Sequence, residues 1–281
     1  MERKPVVVFL GDDFLAGWFA VDYLKKNELT EKVEICGIGP AGDDIIRFYD
    51  RCRVITTMVQ ASKSIRTGFA DVIVASRGCV SLDTVADAQR VESRLIWTSA
   101  EGNAELPDMT ETPVAEIVAH LLKETPAVVV KDLEKAGEVA IKVAQQLVRK
   151  GNYVLSDDSV MKEAQKCTED CDRCFNSCPN SLLVSRAVRA AAKEGVKALV
   201  SVEKGCYLCG KCEQSCPEKI PLTDMMVAAL ASRAPEDKFI WRAGRGPIPE
   251  VELRADAFAL QWGNAPGQCF VLGCGDAKVQ E

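Results

Sequence analysis

Eight of the thirteen cysteines fall between residues 167 and 216, in two runs of four. The second run reads Cys206-x2-Cys209-x2-Cys212-x3-Cys216-Pro217, and the first Cys167-x3-Cys171-x2-Cys174-x3-Cys178-Pro179. Three closely spaced thiolates can hold one side of an iron–sulfur cubane, and the fourth ligand then comes from elsewhere. In chains with two such runs, the fourth cysteine of each run ligates the other cluster. The spacing therefore predicts two [4Fe–4S] clusters. Cys206, Cys209, Cys212 and Cys178 would hold one, and Cys167, Cys171, Cys174 and Cys216 the other. Zinc ribbons use paired C-x2-C knuckles set further apart, and disulfides need an oxidising compartment. The first run carries one residue too many between Cys167 and Cys171. Either a bulge absorbs it, or Cys167 is displaced and its cluster left labile.

These ligands need a scaffold. Between the runs, Ser181–Glu194 has helical apolar spacing and continues from the first Cys-Pro; Leu222–Ala231 repeats this after the second. Lys197–Val202 reads as a short strand. Upstream, Val6–Leu10, Val33–Gly37, Arg53–Thr57, Asp71–Ala75, Leu95–Thr98 and Ala127–Lys131 read as strands. They alternate with helical patterns at Ala16–Lys26, Asp43–Asp50, Ser62–Thr67, Thr84–Glu92, Val114–Lys123 and Gly137–Arg149. Short apolar strands between amphipathic helices imply a parallel sheet covered on both faces, a doubly wound, Rossmann-like α/β fold. The expected organisation is an α/β domain over 1–155 and a ferredoxin-like α+β module with two clusters over 156–232. A linker rich in Pro, Gly and Arg and part of a second Rossmann-like domain would occupy 233–281.

Composition narrows the function. Lys+Arg 35 against Asp+Glu 41 gives a formal net charge of −6, which argues against a nucleic-acid partner. No apolar run approaches membrane-spanning length. The N-terminal residues lead straight into a strand with no signal-peptide pattern, so thirteen thiols imply a reducing cytoplasm. The apolar strand Gln268–Cys274, with no crossover helix after it, implies that a further polypeptide packs against residues 251–281.

Two other features could carry chemistry. Gly37-Ile38-Gly39-Pro40-Ala41-Gly42 matches G-x-G-x-x-G between a strand and a helix. In a dinucleotide fold such glycines admit a pyrophosphate. Here the strand is the second rather than the first, and a tight strand–helix turn explains the pattern as well. Cys79 follows the strand Asp71–Ala75, at the carboxyl end where open α/β sheets place their sites. Cys36 and Cys52 read as inert thiols, and the lone His120 as a structural residue on a helix.

The sequence resembles the α subunit of the archaeal carbon monoxide dehydrogenase/acetyl-CoA synthase complex. The resemblance lies in Val33–Ile38, Ile65–Val74, Leu106–Pro113, both cysteine runs, and Gly246-Pro247-Ile248-Pro249 through Gly273-Cys274. It covers the middle portion of that longer subunit. The family implies a ferredoxin-like module inserted between two Rossmann-like domains, relaying electrons from a nickel–iron–sulfur C-cluster that interconverts CO and CO2. The first family run has C-x2-C, so the longer spacing here is a departure. The family's C-cluster histidine lies in a Gly-His-Asn loop, where this chain has Gly11-Asp12-Asp13. A Gly-Ile-Cys-Cys turn becomes Gly37-Ile38-Gly39-Pro40. Cys79 and Cys274 match further ligands. With two ligands replaced, the expectation is an anaerobic iron–sulfur electron-transfer protein, not catalytic by itself. Its partners would be other subunits of a CO dehydrogenase-like or one-carbon redox complex, and ferredoxin or a similar carrier. One alternative is a split carbon monoxide dehydrogenase subunit whose C-cluster another chain completes. A second is a nucleotide-linked reductase using the glycine turn.

Overall fold

The computed structural model describes residues 4–76, 83–99, 106–123, 127–147 and 151–233. Cys79, Cys274, the strand expected at Gln268–Cys274 and the expected linker after Arg233 lie outside them. The first part is a single parallel sheet of β1 (Val6–Leu10), β2 (Glu34–Ile38), β3 (Arg53–Thr56), β4 (Val72–Ala75), β5 (Arg94–Trp97) and β6 (Ala127–Val129). Their order is β3-β2-β1-β4-β5-β6, with every neighbouring pair parallel. The chain winds outward from β1, then returns to β1's other side at β4. That reversal makes the carboxyl ends of β1 and β4 the fold's natural crevice. The helices are α1 (Phe14–Lys26), α2 (Pro40–Ile45), α3 (Ala61–Arg66), α4 (Thr84–Arg90), α5 (Val114–Lys123) and α6 (Leu133–Gln146).

Strand periodicity divides the core in two. Val7 and Phe9 of β1 enter an apolar cluster with residues of α1, α2, α5 and α6. Val6, Val8 and Leu10 enter the opposite one, with residues of α3 and α4. Alternate side chains of one strand thus face opposite layers. All five are buried, which is why β1 reads as an unbroken apolar run.

The second part is helical among the described residues: α7 (Asp157–Ala164), α8 (Arg173–Asn176), α9 (Val184–Glu194), α10 (Val200–Glu203), α11 (Lys211–Gln214) and α12 (Leu222–Arg233). The Ser156 hydroxyl caps α7 by accepting from Ser159 N. The strand expected at Lys197–Val202 does not form. Gly195–Leu199 is a 3-10 turn that runs into α10. Val196, Leu199 and Val202 are buried in the module core, three residues apart, the period of a tight helix and not of a strand.

The glycine motif has a packing role. Gly39 sits at φ +67°, and Pro40 opens the short α2, where its fixed φ suits a first turn. A Cβ on Gly37 would stand 2.1 Å from the Cα of Gly42, so position 37 must be glycine for α2 to lie against β2. The loop after β1 carries Asp12 and Asp13, charges that repel a phosphate. Gly37→Ala should therefore cost about 3 kcal/mol, the upper end of overpacking penalties, read by denaturant titration. A loss below ~0.5 kcal/mol would return the motif to a ligand-binding role.

Candidate metal centre

Two cavities lie in the helical part, and each is lined by four cysteines. One is bordered by Cys178, Cys206, Cys209 and Cys212 together with Leu182, Val202 and Met226. The other is bordered by Cys167, Cys171, Cys174 and Cys216 together with Val188, Ile220 and Leu222. They contain about 540 Å³ and about 340 Å³ of empty space, part of it open to solvent. Among the described residues no three cysteine, histidine or acidic side chains draw together tightly enough for a single metal ion. In each cavity the four thiols border a shared space.

The local chain explains this distribution. Cys174 lies on α8 and Cys178 just beyond its end; Cys212 lies on α11 and Cys216 just beyond its end. Each short helix therefore serves one cavity from its own turn and the other from its exit. The two hairpins repeat in backbone detail. Cys178 N donates to Phe175 O as Cys216 N does to Glu213 O, both at 3.1 Å. Ser181 and Lys219, three residues past each of these cysteines, both take positive φ, at 50° and 51°. α9 and α12 then start from equivalent positions. Cys-Pro followed by a left-handed residue turns the chain sharply enough to start the next helix against the same core.

The extra residue in the first run is absorbed locally. Cys171 N donates to Thr168 O at 3.4 Å, and Cys167 still borders its cavity beside Cys171, Cys174 and Cys216. Burial pushes the Cys174 thiol up to about 11 and the Cys212 thiol up to about 12, and also raises Cys167 and Cys206. Thiols of this kind stay protonated at neutral pH until a cation compensates their charge, so loading releases protons. The Leu208 N–H points at the Cys206 sulfur at 3.4 Å. Four soft donors round an apolar cavity fit iron–sulfur ligation in both places.

The remaining candidates separate from these cavities. Cys36 and Cys52 are buried in the α/β core; burial drives Cys36 far upward and Cys52 to about 12, so both remain thiols. His120 sits on α5 and borders neither cavity. One residue that sequence patterning missed stands at the β1 crevice. Asp13 is 4% exposed. Thr98 Oγ1 donates to its Oδ1 at 2.6 Å, while Oδ2 has no partner among the described residues. Burial lifts this carboxyl to about 6, against the pull of the Thr98 hydroxyl. Its neighbour Asp12 is exposed.

Residues 166–220 match the family model described as a 4Fe-4S dicluster domain. Over 97% of its length the chain is 38% identical to the acetyl-CoA decarbonylase/synthase complex subunit alpha of Methanothermobacter thermautotrophicus, covering 36% of that protein. It is 31% identical, over 96% of its length, to subunit alpha 1 of Methanosarcina mazei, covering 35% of it. The chain thus spans about a third of the length of these curated relatives. Carbon monoxide dehydrogenase IV from Carboxydothermus hydrogenoformans aligns over 66% of this chain and 30% of its own, at 16% identity and a TM-score of 0.39. Among the described residues no helix is long and apolar enough to cross a membrane.

Two outcomes are expected. Cys178→Ala should abolish the cluster shared with Cys206, Cys209 and Cys212, and Cys216→Ala the other. In each case about half the iron and one of two electron paramagnetic resonance signals should go; removal of the same signal by both would reverse the crossing of ligands. For Asp13, a raised carboxyl pKa is harmless where the group is protonated in both folded and unfolded chains, below about pH 4. Stability is lost as pH rises through about 6, by on the order of 3 kcal/mol. Asp13→Asn should escape that loss, and its advantage in denaturant titration should widen between pH 4 and pH 7. Over nearly its whole length this chain is a relative of the acetyl-CoA decarbonylase/synthase complex α subunit, and it carries a 4Fe-4S dicluster domain.

Proposed function

We propose that the chain relays electrons through two [4Fe–4S] clusters within a one-carbon redox complex. The observation that carries this is the parting of eight cysteines into two four-thiol cavities by interleaved hairpins. When bound, such clusters supply one-electron redox chemistry. The residues themselves exclude water and hold the sulfurs in place. Val188, Ile220 and Leu222 line one cavity, and Leu182, Val202 and Met226 the other. Cys174 and Cys212 lie close enough to feel each other's charge, so the two sites are neighbours across the α8–α11 contact. That proximity suits transfer between them. Cys209 is exposed, and Tyr207, which lines the same cavity, is an exposed large hydrophobic side chain.

The domain limits that accompany this reading are 1–155, 156–232 and 233–281. Its partners are other subunits of a complex such as its relatives' names describe, with ferredoxin or a similar carrier as the electron source or sink. On this reading the isolated chain binds no nickel tightly, because Asp12 and Gly39-Pro40 stand where the resemblance implies a histidine and a thiol.

Anaerobic reconstitution should give about eight iron and eight sulfide per chain. A stable plateau near four would remove one relay site. The same preparation should bind no nickel tightly and reduce no dye in the presence of CO. CO-dependent dye reduction by the pure chain would favour a carbon monoxide dehydrogenase reading instead.

A further inference from the structure

The two cysteine sites repeat in backbone but differ in what touches them. Cys167 N donates to Ala164 O and Cys206 N to Glu203 O, both at 3.0 Å, so Ala164 and Glu203 occupy the same place in the repeat. Ala164 is a buried apolar residue. Glu203 is instead met by Lys63, from α3 of the sheet-bearing part. Lys63 Nζ donates to Glu203 Oε1 at 2.6 Å and to Glu203 O at 2.9 Å. The same carbonyl therefore accepts from Lys63 and from Cys206. The two side chains are 1% and 0% exposed.

We infer that Lys63 is a positioning residue for the site formed by Cys178, Cys206, Cys209 and Cys212, and that its buried charge raises that site's reduction potential. Taking an ammonium out of water is costly, and a buried ion pair is poor value for stability alone. Its placement has a clear electrostatic effect, however. The ammonium sits on the carbonyl that also accepts from Cys206 N, so its charge acts on that site. An electron added to a thiolate-ligated cluster makes it more negative, so the Lys63 ammonium one carbonyl away favours the reduced state, and the Glu203 carboxylate paired with it opposes that effect. At the other site Arg173 lines the cavity from an exposed position, and Arg189 donates to Cys171 O at 3.1 Å and pairs with Asp172 at 3.2 Å. Its side chain is 29% exposed and that of Asp172 55%, so solvent and salt weaken its field. The asymmetry makes one of two otherwise similar sites answer to a residue of the α/β part.

This inference rests on the two-cluster reading, and the experiment separates the two. Reconstituted chain is titrated with dithionite, one electron per cluster, under electron paramagnetic resonance, with Cys178→Ala identifying which signal belongs to the Cys206 site. A wild-type chain with fewer than two reducible clusters would overturn the relay reading itself. With both clusters present, Lys63→Met should lower the potential of the Cys206 site by at least a tenfold change in its reduction equilibrium, about 59 mV for a one-electron couple. The other cluster should stay within error, and Lys63→Arg should restore the wild-type value. Because Lys63→Met leaves Glu203 buried without its counterion, Glu203→Gln provides the opposite arm and should raise the same potential. A purely structural pair would give loss of cluster or no shift in both variants. An unmoved Cys206-site potential in Glu203→Gln, or equal shifts at both clusters, would overturn the assignment.

Discussion

Two four-thiol sites have to be closed by one stretch of chain in which neither run can close a site alone. That constraint organises everything between residues 167 and 216. α8 and α11 are each a single short turn, because a longer helix would carry the exit cysteine away from the cavity it must reach. The proline after Cys178 and after Cys216, and the positive φ of Ser181 and Lys219, turn the chain back within three residues. α9 and α12 then seal the cavities from outside with apolar faces that belong to a single core. Cavity lining and module core share residues such as Leu222 and Met226, so packing and ligation cannot be altered independently.

The sheet-bearing part meets this module through charge as well as through apolar contact. Besides Lys63 and Glu203, Arg66 donates to Asp224 at 2.5 Å and to Thr223 at 3.2 Å, and Arg90 reaches Asp224 at 2.5 Å. Thr223 in turn donates to Glu213 on α11 at 2.7 Å. Contacts of this directional kind fix orientation more sharply than apolar packing does. A rotation of the module on the sheet would strand several buried charges at once, each worth several kcal/mol when left alone. The cluster sites are therefore held at a defined place relative to α3 and α4.

Much of this was legible in the residues. Both four-cysteine sets follow from spacing, and the parallel sheet follows from apolar runs such as Val6–Leu10, whose residues all serve one of two cores. The failures have local causes. Lys197–Val202 looks like a strand because valine and leucine are common there, yet its buried residues recur every third position. α2 starts at Pro40 and not at Asp43, because proline suits a first turn. Lys63, Glu203 and Asp13 carry no pattern at all. A buried lysine in a helix reads as a surface residue until the partner, one hundred and forty residues later in the chain, is seen beside it.

That separation has a consequence for synthesis. A ribosome delivers α3 and the sheet well before it delivers Glu203 and Asp224. During that interval the face that will receive the module presents Lys63, Arg66 and Arg90 to water. Charged side chains keep such a surface hydrated and discourage promiscuous sticking of the kind that exposed apolar faces invite in nascent chains. The same groups that later orient the docked module thus protect the half-made protein while it waits.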